Sequence, residues 1–325
     1  MQVKRASNHR QRTRELTFLG MRRLLLWFAS NQWLATHVPT WGFVRRAVRR
    51  FMPGEDFDSA LKAAVDFKPM GIGAVFTRLG ENIIDLGEAA AVVEHYESVL
   101  VAAKAAGVNP EISVKPTQLG LDIDPAAALA NLNRLADAAS KAKGFMWIDM
   151  EGSAYTDATL DLYTKVRWRH SEVGVCLQAY LHRTAKDVGR LSQASAAIRL
   201  VKGAYAEPSD RAFTAKRDVD ANYLALAALM LTELKRGKLR LVLGTHDVKL
   251  VRWIAQFGLG LGIEREQIEV AMLYGIRTDE LARLAAEGHR VVDLIAYGSA
   301  WYPWYVRRLA ERPANVLFVA RQMLG

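Results

Sequence analysis

The sequence predicts a closed (β/α)8 barrel of the TIM type, preceded by a helical N-terminal extension. Three observations predict it. From Gly71 onward eight short β-rich apolar runs recur, and helical periodicity fills the longer stretches between them. Strands that alternate with helices pair in parallel through right-handed crossovers, and eight such units close most naturally into a barrel. The chain has 325 residues, 51% of them apolar, which suits one barrel of about 250 residues with an extension. An open doubly wound sheet is the alternative architecture. The expected division is a basic helical extension over residues 1–69, broken internally at Pro53-Gly54, and a barrel over residues 70–325.

The runs are, in order, Gly71–Thr77, Glu111–Lys115, Gly144–Met150, Val173–Tyr180, Ala197–Tyr205, Arg240–Thr245, Ile268–Tyr274 and Arg290–Tyr297. Between the second and third, Leu129, Leu132, Leu135 and Ala139 recur at helical spacing, and Asp124-Pro125 supplies an N-cap and a first-turn proline. Between the fifth and sixth, Leu224, Ala227, Ala228 and Leu231 repeat that stripe over Asp218 to Arg236. Gly258, Gly260 and Gly262 imitate part of a dinucleotide-binding pattern but precede a strand, so they read as a helix-to-strand loop.

Charge is distributed unevenly. The first 50 residues hold 11 of the 44 Lys and Arg and one of the 34 acids, so the remaining 275 carry 33 of each sign. Such an arm suits a solvated extension or contact with an anionic membrane surface. No recognition motif accompanies the charge, so nucleic acid is not an expected partner. The most apolar stretch, Leu16 to Trp33, is interrupted by Arg22-Arg23, Ser30 and Asn31. It reads as an amphipathic helix displaying Leu24, Leu25, Trp27 and Phe28, shorter in apolar length than the ~18 residues of a membrane span. It also lacks the cleavage site of a signal peptide. The lone Cys176 excludes an internal disulfide and a CxxC centre, which fits a cytoplasmic setting, and it reads as packed within a strand. The histidines show no metal-ligand spacing.

In such a barrel the functional groups stand at the C-terminal ends of the strands. The polar residues there are Glu81, Lys115, Asp149, Glu151, Gln178, Arg199, Lys202, Tyr205, Thr245, His246 and Asp247. Arg199 inside an apolar strand requires an anion or a hydrogen-bonding ring, and a salt bridge to Asp149 or Glu151 is the structural reading. Alternation would place Arg199, Val201, Gly203 and Tyr205 on one face, with Gly203 admitting a close ligand. Lys202 or Lys115 alone would suit a Schiff-base amine. Arg307-Arg308 suits bidentate grip of a carboxylate, or an i,i+3 or i,i+4 surface pair with Glu311. Tyr297, Trp301, Tyr302, Trp304 and Tyr305 supply the apolar walls of a pocket or a docking face.

Taken together, the motifs resemble the flavin-dependent proline dehydrogenase family. The stretches are RLGE (Arg78–Glu81), ISVKPTQLG (Ile112–Gly120), WIDME (Trp147–Glu151), RLVKGAY (Arg199–Tyr205), GTHD (Gly244–Asp247), LYG (Leu273–Gly275) and WYPWYVRRLAERPAN (Trp301–Asn315). They stand in the family's order and cover nearly everything from Gly71 to Asn315, while the basic arm lies outside the resemblance. The resemblance implies a distorted (β/α)8 barrel of the TIM type with FAD at its mouth that oxidises L-proline to Δ1-pyrroline-5-carboxylate and passes electrons to a quinone. It implies that Arg307, Arg308 and Lys115 bind the substrate carboxylate, that Glu81 closes an ion-pair gate with Arg307, and that Glu311 orients the arginines. Asp149 and Tyr205 would shape the substrate side, and Arg199 would sit against the flavin. Met150, Gln178, Lys202, Gly203, Ala204, Thr245 and His246 would hold the cofactor.

Two positions depart from the family pattern. Leu294 and Trp304 stand where the family carries tyrosines, which removes two hydroxyls from the substrate-facing wall. A substituted, N-alkylated or resized cyclic amino acid is therefore an alternative substrate. A Schiff-base barrel lyase and a non-catalytic amino-acid-binding regulator are the readings from other classes.

Overall fold

The computed structural model describes residues 31, 37–38, 48–80 and 83–311, the side chains of 307–311 excepted. Helix α1 (Phe57–Phe67) leads to β1 (Ile72–Arg78), α2 (Leu86–Ala105) to β2 (Glu111–Val114), and α3 (Pro125–Ala142) to β3 (Phe145–Ile148). Then follow α4 (Thr156–Arg167), β4 (Val173–Gln178), α5 (Thr184–Leu191), β5 (Ala196–Val201), α6 (Lys216–Lys235) and β6 (Leu239–Gly244). The series ends with α7 (Val248–Gly260), β7 (Ile268–Leu273), α8 (Thr278–Ala286), β8 (Val291–Tyr297) and α9 (Trp301–Glu311). The strands form a closed parallel barrel in sequence order. β8 returns to β1 in a register running from Val291 opposite Ile72 to Tyr297 opposite Arg78.

All eight expected runs are strands, and the differences lie at their ends. The fifth run stops at Val201 rather than Tyr205, so the expected alternation onto Gly203 and Tyr205 does not occur. Gly203 turns the chain there with φ of +113°, and a Cβ on it would lie 2.3 Å from the Tyr180 ring. Only glycine combines that dihedral with so close a neighbour. Gly258 and Gly260 belong to the last turn of α7 rather than to a loop, and Gly262 lies beyond it. Asp124 caps α3 as expected, accepting from Ala126 N at 2.8 Å.

The chain divides into two compact units. One comprises Met52–Gly203 and Glu207–Ser299 and contains the barrel; the other draws on Met1–Phe51, Ala204–Ala206 and Ala300–Gly325. The expected amphipathic segment over 16–33, and nearly all of the basic arm, lie outside the described residues. Among the described residues, no helix is long and apolar enough to cross a membrane.

Alternation along the strands separates two apolar layers. One large cluster joins Ile112, Val114, Ile148, Ile198 and Leu241 of the strands to Tyr96, Leu132 and Leu231 of the helices. The barrel axis holds its own small cluster of Val75, Trp147, Ala197, Val242 and Ala271, with Phe145, Val292 and Leu294 against it. Trp147 fits because β4 presents Gly174 beside it, where a Cβ would come within 2.4 Å of the indole. That ring is the floor beneath the polar residues of the mouth.

Candidate active site

Polar residues in or just after β2, β3 and β4 meet around Arg199 of β5. Arg199 is 3% exposed. Its Nη2 donates to Asp149 Oδ1 and to Ser113 Oγ, both at 2.6 Å, and its Nε donates to Cys176 Sγ at 2.9 Å. Its Cζ stands 5.2 Å from the centroid of the Trp147 ring. Burial works against the guanidinium charge, yet Cys176 and Asp149 outweigh it and raise the pKa. Nη1 is buried and has no hydrogen-bond partner among the described residues. The expected salt bridge to Asp149 is thus present, and one N–H group of the same arginine is left over.

Asp149 is held ionised by its surroundings. Burial would raise its carboxyl, but Arg199, then Lys115, Ser113 and Cys176, together hold it below the usual carboxylate range. Ser113 Oγ also donates to Asp149 Oδ1 at 2.9 Å. Lys115 itself is 8% exposed, just before the single turn Pro116–Leu119. Glu151 fixes that turn, accepting from Thr117 N at 3.1 Å and from Thr117 Oγ1 at 2.6 Å. It anchors the backbone beside Lys115 rather than pairing with Arg199.

Gln178, Lys202 and Thr245 stand at or just past the C-terminal ends of β4, β5 and β6. Gln178 donates from Nε2 to the Met150 carbonyl at 3.2 Å, and its Oε1 is buried without a partner among the described residues. Lys202 is engaged by Asp220 at 2.5 Å and Asp247 at 3.4 Å. Thr245 Oγ1 accepts from Asp247 N at 3.2 Å. His246 Nε2 accepts from Leu273 N at 3.0 Å, so that nitrogen faces the backbone of β7. Ala204 and Tyr205 follow Gly203 but belong to the second unit. Arg307, Arg308 and Glu311 lie on α9, outside the described side chains, and Glu81 lies outside the described residues. Leu294 is on the axial side of β8, packed against the Trp147 cluster.

Sequence reasoning missed two parts of this barrel. Ser113 and Cys176 were not singled out as partners of Arg199, although the inward register of β2 and β4 leads to them. At the opposite end of the axis, Arg240 donates from Nε and Nη2 to both oxygens of Glu269 at 2.8 Å and from Nη2 to Glu111 Oε1 at 3.0 Å. Trp147 Nε1 donates to Glu111 Oε2 at 3.0 Å, and Arg240 Cζ lies 5.1 Å from the Trp147 centroid. The available signal was a charged residue early in each of three apolar strands.

Among the described residues, no group of three or more His, Cys, Asp and Glu is placed to hold a metal ion. The site instead has a buried donor, Arg199 Nη1, and a buried acceptor, Gln178 Oε1, open on neighbouring strands. The glycine at 203 is covered by the Tyr180 ring, so the close ligand approach expected there is taken by a side chain of the protein itself. That donor set fits an organic group whose edge carries both carbonyl and N–H functions.

Comparisons with known proteins agree with this architecture. The family model described as proline dehydrogenase matches residues 60–321. Proline dehydrogenase 1 of Bacillus subtilis (strain 168) is 33% identical over 304 residues, covering 94% of this chain and 99% of the relative. That alignment takes in much of the basic arm, which corrects the expectation that the arm lies outside the resemblance. Proline dehydrogenase of Deinococcus radiodurans is 36% identical over 280 residues, covering 85% of this chain and 89% of the relative. Among solved structures, proline utilization A from Bdellovibrio bacteriovorus, inactivated by N-propargylglycine, superposes with a TM-score of 0.76 at 23% identity. The match covers 82% of this chain and 33% of that protein, and it carries the fold. With a family model spanning most of its length and relatives above 30% identity along nearly the whole chain, this protein belongs to the proline dehydrogenase family.

Proposed function

We propose that the chain oxidises L-proline to Δ1-pyrroline-5-carboxylate, with FAD held at the mouth of the barrel and a quinone as electron acceptor. The observation that carries this reading is Arg199: buried, charged, clamped to Asp149, and left with Nη1 open at the C-terminal end of the barrel. A flavin would suit these two groups, since its isoalloxazine edge would offer acceptors to Arg199 and an N–H to Gln178. FAD when bound supplies the two-electron acceptor for the hydride that leaves the ring carbon next to nitrogen.

The chain's own residues then bind and orient. Arg307, Arg308 and Lys115 grip the carboxylate, Glu311 aligns the arginines, and Glu81 pairs with Arg307 to close the pocket. Asp149 and Tyr205 shape the substrate side. Met150, Gln178, Lys202, Gly203, Ala204, Thr245 and His246 hold the cofactor. Fixing the carboxylate places the amine-bearing carbon against the acceptor, so orientation supplies much of the rate. Arg199 stabilises the negative charge that arrives with the electrons. The amine loses one proton to solvent before the hydride leaves, departure of the hydride gives the iminium, and loss of its remaining N–H proton to solvent gives the imine.

A substituted cyclic amino acid is the second reading of the substrate, favoured by Leu294 on the axial wall. The Schiff-base reading of Lys202 is disfavoured by Asp220 and Asp247, which engage the amine instead of leaving it in an apolar pocket. The basic arm would meet the anionic inner face of the cytoplasmic membrane, where a quinone is at hand. The test is colour. Purified protein is expected to be yellow and to bleach anaerobically with L-proline; a colourless preparation that no flavin reconstitutes overturns the proposal. A panel of cyclic amino acids scored by the same bleaching decides between proline and its analogues.

A further inference from the structure

Cys176 closes a ring of contacts behind Arg199. The thiol accepts from Arg199 Nε at 2.9 Å and donates to Asp149 Oδ1 at 3.2 Å, while that same oxygen accepts from Arg199 Nη2 at 2.6 Å. The register explains why one sulfur reaches both. β4 lies between β3 and β5, and Cys176 pairs directly with Arg199 in the ladder. The side chain is 3% exposed, and burial pushes the thiol up to about 12, so the S–H proton stays on sulfur and is available to Asp149.

We propose that Cys176 is a positioning residue that aims the Arg199 guanidinium at its ligand. This rests on the reading of Arg199 as the flavin-facing cation. Contacts through Nη2 alone would leave the guanidinium plane free to turn about that atom. A second contact, at Nε, fixes the plane, and Trp147 beneath it blocks descent along the axis. With two corners held and the floor closed, Nη1 has one direction left. A side chain of similar size without polar atoms would leave a buried N–H unpaired, and the guanidinium would turn to satisfy it.

The chain has one cysteine, so its S–H infrared band reports Cys176 alone. In the holoenzyme the band is expected below the frequency of a free thiol and is expected to move in R199K. Cys176→Val is expected to lower kcat about tenfold or more with KM held within about twofold, because aim matters in the transition state. The flavin midpoint potential should move in the negative direction in the same variant. Cys176→Ser, which keeps a donor and an acceptor, should retain at least about a third of kcat and most of the potential. Equal losses in the Ser and Val variants, or a folded Val variant with native kcat and potential, overturn the role of Cys176. Should the Val variant not fold, a wild-type band at the free-thiol frequency, unmoved by R199K, overturns it equally. A yellow, proline-bleached wild type with an indifferent Val variant sinks only this inference; a wild type that takes up no flavin sinks the reading of the site.

Discussion

Two arginines lean on the same indole from opposite ends of the barrel axis, and they are held in different ways. Arg199 lies toward the C-terminal ends of the strands and Arg240 toward the N-terminal ends, with Cζ atoms 5.2 and 5.1 Å from the Trp147 centroid. Arg240 is clamped by both oxygens of Glu269 and by Glu111. Burial opposes its charge, but the two carboxylates outweigh that and raise its pKa. Arg199 has one carboxylate, one hydroxyl and one thiol, and its Nη1 is unmatched among the described residues. Depth alone would assign the roles the other way round, for the Arg199 side chain is 4% exposed and that of Arg240 24%. What separates them is completeness of pairing: a satisfied buried cation stabilises a fold, and an unsatisfied one is a place for something else to bind.

The comparison breaks first at Arg240. Arg240→Met leaves Glu111 without its counterion and Glu269 with only the longer contact to Arg290 at 3.7 Å, both carboxylates being nearly inaccessible. The expected cost is about 3–5 kcal/mol of stability, read from denaturant midpoints, with turnover per folded molecule close to native. Arg199→Met is the mirror case. It is expected to lower kcat/KM about a hundredfold or more while costing less stability, since Asp149 keeps Ser113 and the field of Lys115. Steady-state kinetics alongside thermal melting checks both halves; if the two variants exchange phenotypes, the assignment of ends is wrong.

Gly174→Ala acts on the shared ring. Its Cβ would push into the Trp147 indole, and the expected cost is about 1–3 kcal/mol together with a measurable loss of turnover, because both arginines rest on that ring. A third buried ionisable group sharpens the rule from the other side. Asp293 of β8 is 1% exposed, its Oδ1 has no partner among the described residues, and burial raises its pKa well above the usual value. A carboxyl with a raised folded pKa stabilises fully below its unfolded value of about 4, and that contribution is lost as pH rises through the folded value. Asp293→Val is therefore expected to stabilise by about 1 kcal/mol near neutrality, with the gain growing as pH rises and fading toward pH 4. Melting curves across pH decide it, and a gain that does not depend on pH would contradict the buried-acid reading.

Much of this is legible in the sequence. The eight runs were visible because β-rich segments and helical stripes differ in period, and Asp124-Pro125 announced a helix start through local capping chemistry alone. Arg199 stood out because a cation inside an apolar strand demands a partner. The strand ends were less legible: Gly203 and Tyr205 read as a continuation of β5, whereas the ladder stops at Val201 and the chain turns. Ser113 and Cys176 passed as ordinary strand residues, since hydroxyls and thiols are unremarkable until the register brings a guanidinium beside them. Glu111, Arg240 and Glu269 were likewise unread, because three charges far apart in the chain look like solvated strand starts.

The sequence by itself determined the alternation of strands and helices, the family, and which residue types reach the mouth, because periodicity, capping and short motifs are local properties. Only the tertiary structure decided which polar atoms meet. Closing the sheet put β2, β3, β4 and β5 at fixed heights around Trp147, and that geometry made Cys176 a contact of Arg199 and completed the pairing of Arg240. Pairing is a distance between atoms remote in sequence, so it has no signature along the chain.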